Sequence, residues 1–247
     1  MLVSRTPIIV ASSGGFVPGV RRHWNAGPVM RHAFQLSGAR QPKVASLGTA
    51  LGDQAILNAA IHEAFYDTEA RLTCVNLFPM PNFADLRGHL LDQDVIWVGG
   101  GSVAGLLAMW RLHGLDTILR ECWEAGVVLG GISAGSVCWH AGGTTDSYGP
   151  DLRAVTDGLG FLPYANGVHY DTEEQRRPLL HRLIGEGTLP AGYATDDGVA
   201  LVYHGTELAE VVSDRDDAAG YQIVPDAGGG VVETRLEPRR LPDVPPV

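Results

Sequence analysis

Over the first two-thirds of the chain, short apolar runs alternate with segments in which apolar residues recur every three or four positions. The short runs, Pro7 to Ser12, Lys43 to Leu47, Arg71 to Leu77, Asp94 to Val98 and Val127 to Ile132, have the length of buried strands. The periodic segments predict helices over Val29 to Leu36, Asp53 to Phe65, Phe83 to Leu91, Val103 to His113 and Leu115 to Ala125. Such a β-α-β-α order builds a parallel sheet with crossover helices on its faces. Right-handed crossovers gather the strand ends on one edge, where open α/β sheets bind ligands. After Ala141 the pattern loosens into loops rich in Gly, Asp and Pro, then resumes at Val199 to Tyr203, Glu210 to Val212 and Tyr221 to Val224 with an alternation that suits antiparallel strands. The expected fold is therefore α/β, a mostly parallel sheet flanked by helices with a more antiparallel C-terminal portion. Residues 1–235 are read as a single domain, and residues 236–247, with Pro238, Pro242, Pro245 and Pro246, as an extended or disordered Pro-rich tail.

Composition narrows the partners. A formal net charge of −10, without a Lys/Arg cluster to set against it, opposes nucleic-acid binding. The apolar run from Pro7 to Ala11 is shorter than a secretory core segment, and no run is long enough to cross a bilayer, so a cytoplasmic location without membrane contact is expected. Cys74, Cys122 and Cys138 lack any zinc-ligand or disulfide spacing and read as buried small hydrophobes, which fits a reducing compartment. The acidic cluster Asp214, Asp216 and Asp217 reads as a solvated turn.

The strongest local signal is Gly131-Ile132-Ser133-Ala134-Gly135, between the apolar Val127 to Leu129 and the helix-like Ser136 to His140. Small residues flanking a serine at a strand-to-helix junction permit the strained turn of a nucleophile elbow; the bland reading is a tight glycine turn. A serine hydroxyl needs a base, and of nine histidines His169 stands out, in Asn166-Gly167-Val168-His169-Tyr170-Asp171. The other histidines fall mostly in predicted helices or at their ends, where packing and surface roles prevail. An acid to orient His169 could come from Asp146, in Thr144-Thr145-Asp146-Ser147, or from Asp196 or Asp197, in Thr195-Asp196-Asp197-Gly198. Ala134, following the serine, offers one oxyanion donor; the turn Gly99-Gly100-Gly101 offers another at Gly100 or Gly101. Those glycines miss the dinucleotide spacing and no Lys-Ser/Thr pair follows them, which argues against a nucleotide site.

Together, the Gly-Gly-Gly turn, the G-x-S-A-G and His169 thirty-six positions after Ser133 resemble the peptidase E family. The matching stretches are Asp94 to Gly101, Gly131 to Trp139, Thr144 to Ser147, His169-Tyr170 and Glu174-Gln175-Arg176. The resemblance implies a fold like that of class I glutamine amidotransferases, with a serine in place of their cysteine. It also implies removal of an N-terminal aspartate from small peptides without metal or cofactor. It puts the nucleophile on Ser133, the base on His169 and oxyanion donors on Gly100 and Ala134. Asp197 is favoured as the partner of His169, and Asp146 as a supporting residue. Two departures bear on substrate. Ser102 replaces the family's asparagine after the glycines, and Glu173 stands where aspartate-specific members carry an arginine. An acidic side chain there would repel an N-terminal aspartate, although Arg176 or Arg177 could compensate, so strict aspartate specificity is not expected. Ser102, Glu173 and Arg176 are the substrate-binding candidates.

The function expected is thus a serine exopeptidase working through an acyl-enzyme on Ser133. Alternatives are an esterase of the α/β-hydrolase type, which needs the order Ser133, Asp146, His169, a cyanophycin-degrading serine hydrolase, and a non-catalytic amidotransferase-like binding module. The oligomeric state is left open, a homo-oligomer included.

Overall fold

The computed structural model describes residues 6–244; Pro245 and Pro246 of the expected tail lie outside the described residues. The chain begins with Ile8–Ser12 (β1), a hairpin of Phe16–Pro18 (β2) and Trp24–Ala26 (β3), and Pro28–Leu36 (α1). Lys43–Leu47 (β4), a 3-10 turn at Thr49–Leu51, Ala55–Ala64 (α2), Arg71–Val75 (β5) and Leu86–Leu91 (α3) follow. Then come Val95–Val98 (β6), Val103–His113 (α4), Leu115–Glu124 (α5), Val128–Ile132 (β7) and the short Ala134–Val137 (α6). The remainder is His140–Thr145 (β8), Arg153–Val155 (β9), Leu162–Gly167 (β10), Arg176–Gly185 (α7), Gly192–Thr195 (β11), Val199–His204 (β12), Glu207–Ser213 (β13), Gly220–Pro225 (β14), Val231–Leu236 (β15) and Arg239–Arg240 (β16).

Eight strands form the main sheet in the order β16-β13-β12-β1-β7-β6-β4-β5. From β1 to β5 every pairing is parallel, and β12 and β13 add antiparallel strands on the other side. β6 is buried along its whole length and β1 and β7 nearly so, which is why these strands read as unbroken apolar runs instead of alternating. Helices α4 and α5 cover one face through Leu106, Leu107, Trp110 and Leu119; α1 and α2 cover the other with Val29, Met30, Phe34 and Ile61. A six-stranded sheet, β15-β14-β11-β10-β8-β9, is antiparallel except where β10 runs parallel to β8 and β11. Its Leu162 and Tyr193 share a core with Trp139 and Tyr203.

The elements expected from periodicity are present with trimmed ends. Helix α3 starts at Leu86 instead of Phe83 because Asp85 caps it, accepting from the Gly88 amide at 2.8 Å. The loop-like reading after Ala141 is corrected: β8, β9, β10 and α7 lie in that stretch. Glycines in His140-Ala-Gly-Gly-Thr-Thr hide a strand from any propensity argument. In the expected tail, Arg239–Arg240 runs parallel to β13 and Leu241 is buried.

Candidate active site

Ser133 sits between β7 and α6 with φ 57°, the left-handed region that a residue bearing a Cβ enters only when its surroundings hold it there. The neighbouring glycines explain the holding. A Cβ on Gly131 would lie 2.5 Å from the Gly135 carbonyl oxygen, and one on Gly135 would lie 2.3 Å from that of Val98, so α6 packs directly on the backbone of β6 and β7. The Ser133 amide donates to the Ser12 carbonyl at 3.0 Å, and the single Ser12 hydroxyl proton is offered to the carbonyls of Gly14, at 2.6 Å, and Gly131, at 3.0 Å. The turn is thereby fixed against the end of β1.

His169 follows β10, also with positive φ, 53°. Its amide donates to Ser13 Oγ at 3.0 Å, and that hydroxyl also meets Thr195 Oγ1 at 2.7 Å. Adjacent residues at the end of β1 therefore hold the Ser133 turn and the His169 backbone. Imidazole Nδ1 lies 2.5 Å from Asp197 Oδ1. A carboxylate only accepts, so Nδ1 donates and the neutral ring keeps its lone pair on Nε2. Thr172 Oγ1 donates to Asp197 Oδ2 at 3.0 Å, and Arg215 reaches the Asp197 carbonyl while pairing with Asp171. The His169 hydrogen bond, with smaller help from Thr172 and Arg215, holds the Asp197 carboxyl below the usual range. No hydrogen bond joins Ser133 Oγ to His169 among the described residues, an arrangement common in free enzymes, where that bond tightens when substrate arrives.

Gly100 is the glycine that meets the serine: a Cβ there would be 3.2 Å from Ser133 Cβ. Among the described residues the amides of Gly100 and Ala134 have no hydrogen-bond partner, which leaves both donors free. The Gly101 amide is likewise unpartnered among the described residues; its φ is 128°, and a Cβ there would lie 2.5 Å from the Ala50 carbonyl oxygen.

The remaining candidates separate. Asp146 is exposed and makes no hydrogen bond to His169 among the described residues; it lines a hollow of about 490 Å³ with Glu173, Glu174 and Gln175. Ser102 caps α4, accepting from the Gly105 amide at 3.0 Å, a task asparagine also performs. Arg176 is not presented to a ligand: its side chain is 4% exposed, paired with Glu173 at 2.8 Å and bonded to the Thr144 carbonyl. Arg177 lies over the Tyr170 and Tyr221 rings and pairs with Glu233, so neither arginine replaces the missing one. Cys138 is buried, which pushes its thiol well up and removes it as a nucleophile. Cys122 is likewise buried, whereas Cys74, expected inside, is half-buried.

Sequence reasoning passed over Ser12, Ser13 and Arg215. Ser12-Ser13-Gly14-Gly15 ends a central strand with small residues just as Gly99-Gly100-Gly101 does, and that was the available signal. It also missed a cavity of about 290 Å³ lined by Ser133 and walled by Phe16, Trp24, Leu51, Leu57 and Ile61. Phe16 and Trp24 belong to the β2–β3 hairpin, too short and too rich in polar neighbours to read as strands.

A hydroxyl on a strained turn, a carboxylate-bound imidazole and two free amides are the parts that acyl transfer requires. Their order, Ser133, His169, Asp197, differs from the Ser, acid, His order of α/β hydrolases. Among the described residues no helix is long and apolar enough to cross a membrane, and no group of three His, Cys, Asp or Glu side chains is placed to hold a metal. The sequence profile of peptidase family S51 matches residues 9–211. An uncharacterised peptidase, YgaJ, of Bacillus subtilis (strain 168) is 42% identical over 194 residues, which cover 78% of this chain and 83% of that protein. The crystal structure of a protein assigned as a peptidase E from Listeria monocytogenes EGD-e superposes with a TM-score of 0.59 at 16% identity, covering 94% of this chain and all of the other. A peptidase from an acI-B1 actinobacterium superposes at 0.67, also at 16% identity, over 97% of each chain. At such identity these two structures speak to the fold alone.

Proposed function

The chain belongs to peptidase family S51, and from that premise we propose that it is a serine exopeptidase of small peptides, with Ser133 as nucleophile, His169 as general base and Asp197 as the acid that orients it. The observation that carries the reading is the 2.5 Å contact between His169 Nδ1 and Asp197 Oδ1, on a base anchored to the same strand end as Ser133. His169 Nε2 takes the Ser133 proton as Oγ attacks the carbonyl carbon of the N-terminal residue. The Gly100 and Ala134 amides stabilise the oxyanion. The imidazolium then protonates the leaving amine as the C–N bond breaks, and water, deprotonated by His169, releases the acyl group. Asp146, Glu173 and Glu174 line a hollow with negative charge, and the Glu173 amide donates to the His169 carbonyl at 3.0 Å; carboxylates so placed oppose an N-terminal aspartate. Three unpaired cysteines suit action in the cytoplasm.

The test is hydrolysis of X-Leu dipeptides and X-p-nitroanilides by wild type and Ser133→Ala. Loss of the nucleophile lowers kcat on the order of a million-fold. Turnover indifferent to Ser133 refutes the mechanism. Turnover of p-nitrophenyl esters without any peptide points to an esterase, and a folded protein that forms no fluorophosphonate adduct points to a binding module.

A further inference from the structure

We propose that the cavity against Ser133 receives the side chain of the substrate's N-terminal residue and selects large apolar ones, leucine, methionine or phenylalanine, over aspartate. The proposal rests on the serine exopeptidase reading and adds a substrate class to it.

Three observations lead there. First, the ten residues around the cavity include no charged side chain; its walls are Phe16, Trp24, Leu51, Leu57, Ile61 and Ile132, closed by glycine backbone and Ser133. A carboxylate inside would lose its water without gaining a partner, which is costly. Of the two arginines of the adjoining hairpin, Arg22 is paired with Asp67 and lies over the Tyr66 ring, and Arg21 is exposed and outside the lining. Second, the volume of about 290 Å³, at the bottom of the range of about 300–1,000 Å³ for pockets of drug-sized ligands, is ample for one large side chain.

Third, position fixes which side chain. The leaving amine takes its proton from the base, so it departs on the His169 side. The cavity is lined by Ser133 and by Gly100, the oxyanion donor, but not by His169. It therefore lies on the acyl side of the scissile bond, which in an exopeptidase releasing the first residue is the N-terminal side chain.

The experiment compares kcat/KM of X-p-nitroanilides with X as Leu, Met, Phe, Ala and Asp, using wild type and three variants. Leu51→Arg changes a lip residue that is 46% exposed, Leu57→Arg changes a half-buried wall residue, and Ile56→Arg, 75% exposed and outside the lining, controls for added charge on the same helix. One methylene in an apolar pocket discriminates by about 10–200-fold, so the leucine substrate should exceed alanine by at least about 100-fold, with aspartate below alanine. Leu51→Arg and Leu57→Arg should each cut the Leu-to-Asp ratio by at least about tenfold, the size of one charge or methylene contact, and Ile56→Arg should leave it unchanged. Turnover that depends on Ser133 but shows a flat or acidic preference overturns the assignment of the cavity while leaving the exopeptidase standing. An apolar preference that the two cavity variants retain in folded form does the same. Absence of any Ser133-dependent turnover overturns the exopeptidase, and the proposal with it.

Discussion

Gly100 and Gly101 are adjacent, yet replacing each by alanine should separate chemistry from folding. At Gly100 the backbone φ is negative, so alanine is sterically allowed there, and its Cβ would lie 3.2 Å from Ser133 Cβ and 3.8 Å from Ser133 Oγ. Carbon atoms prefer about 3.5–4.0 Å, so the new methyl displaces the serine or the amide beside it by a few tenths of an ångström. The folded state loses little, and restricting the unfolded chain returns about 0.4–1 kcal/mol. The reaction loses far more: misaligning one oxyanion donor costs about 10²–10³ in kcat, or roughly 2.7–4 kcal/mol. At Gly101 the φ of 128° excludes a side chain, and a Cβ would lie 2.5 Å from the Ala50 carbonyl oxygen and 2.8 Å from its carbon. Crowding of that kind costs about 1–3 kcal/mol, which in a chain of this length lowers Tm by roughly 2–12 °C. Calorimetry and steady-state kinetics on one peptide substrate read both effects. A Gly100→Ala protein with wild-type Tm and activity within threefold of wild type would refute the assignment of Gly100 to the oxyanion hole.

Asp197→Asn should lower kcat by about 10⁴, as loss of the acid behind a catalytic histidine does elsewhere, whereas Asp146→Asn, which removes no hydrogen bond to the imidazole, should raise KM and spare kcat; equal kcat losses would contradict the choice between them. Ser13→Ala removes the acceptor of the His169 amide and should cost about 1–3 kcal/mol of stability together with activity, seen in paired urea melts and rates. Burial lowers His140 to about 4, so the unfolded chain takes up that proton first. Stability should therefore fall as pH drops from about 6.5 towards 4, by up to about 3 kcal/mol, and Tm measured against pH should be flatter in His140→Gln.

What was legible in the sequence was whatever depends on near neighbours. The parallel half of the main sheet follows from runs such as Val95-Ile96-Trp97-Val98, which are apolar because they are buried on both faces. The elbow was legible because Gly131 and Gly135 answer to contacts within one β-α junction. Asp197 could only be favoured over Asp146, since nothing local distinguishes two aspartates in turns; the distinction arises where β11 brings residues 196–198 beside the segment after β10. The apolar cavity was not legible at all. Its walls come from the hairpin, the turn after β4, α2 and two strand ends, and no periodicity links them.

The end of β1 explains how parts so scattered keep a common geometry. Ser12 takes the amide of Ser133 on its carbonyl. Ser13 takes the amide of His169 on its side chain and that of Gly198, next to Asp197, on its carbonyl at 3.2 Å. Two consecutive residues thus receive hydrogen bonds from Ser133, from His169 and from Gly198, the neighbour of Asp197, each from a different segment. Ser12 lies in register with Ile132 of β7 on one side and Ala200 of β12 on the other, in the middle of the main sheet. Movement of any one segment must then break a buried bond to a central strand, costing roughly 1–3 kcal/mol per unsatisfied group. The relative placement of Ser133, His169 and Asp197 is accordingly a property of the sheet.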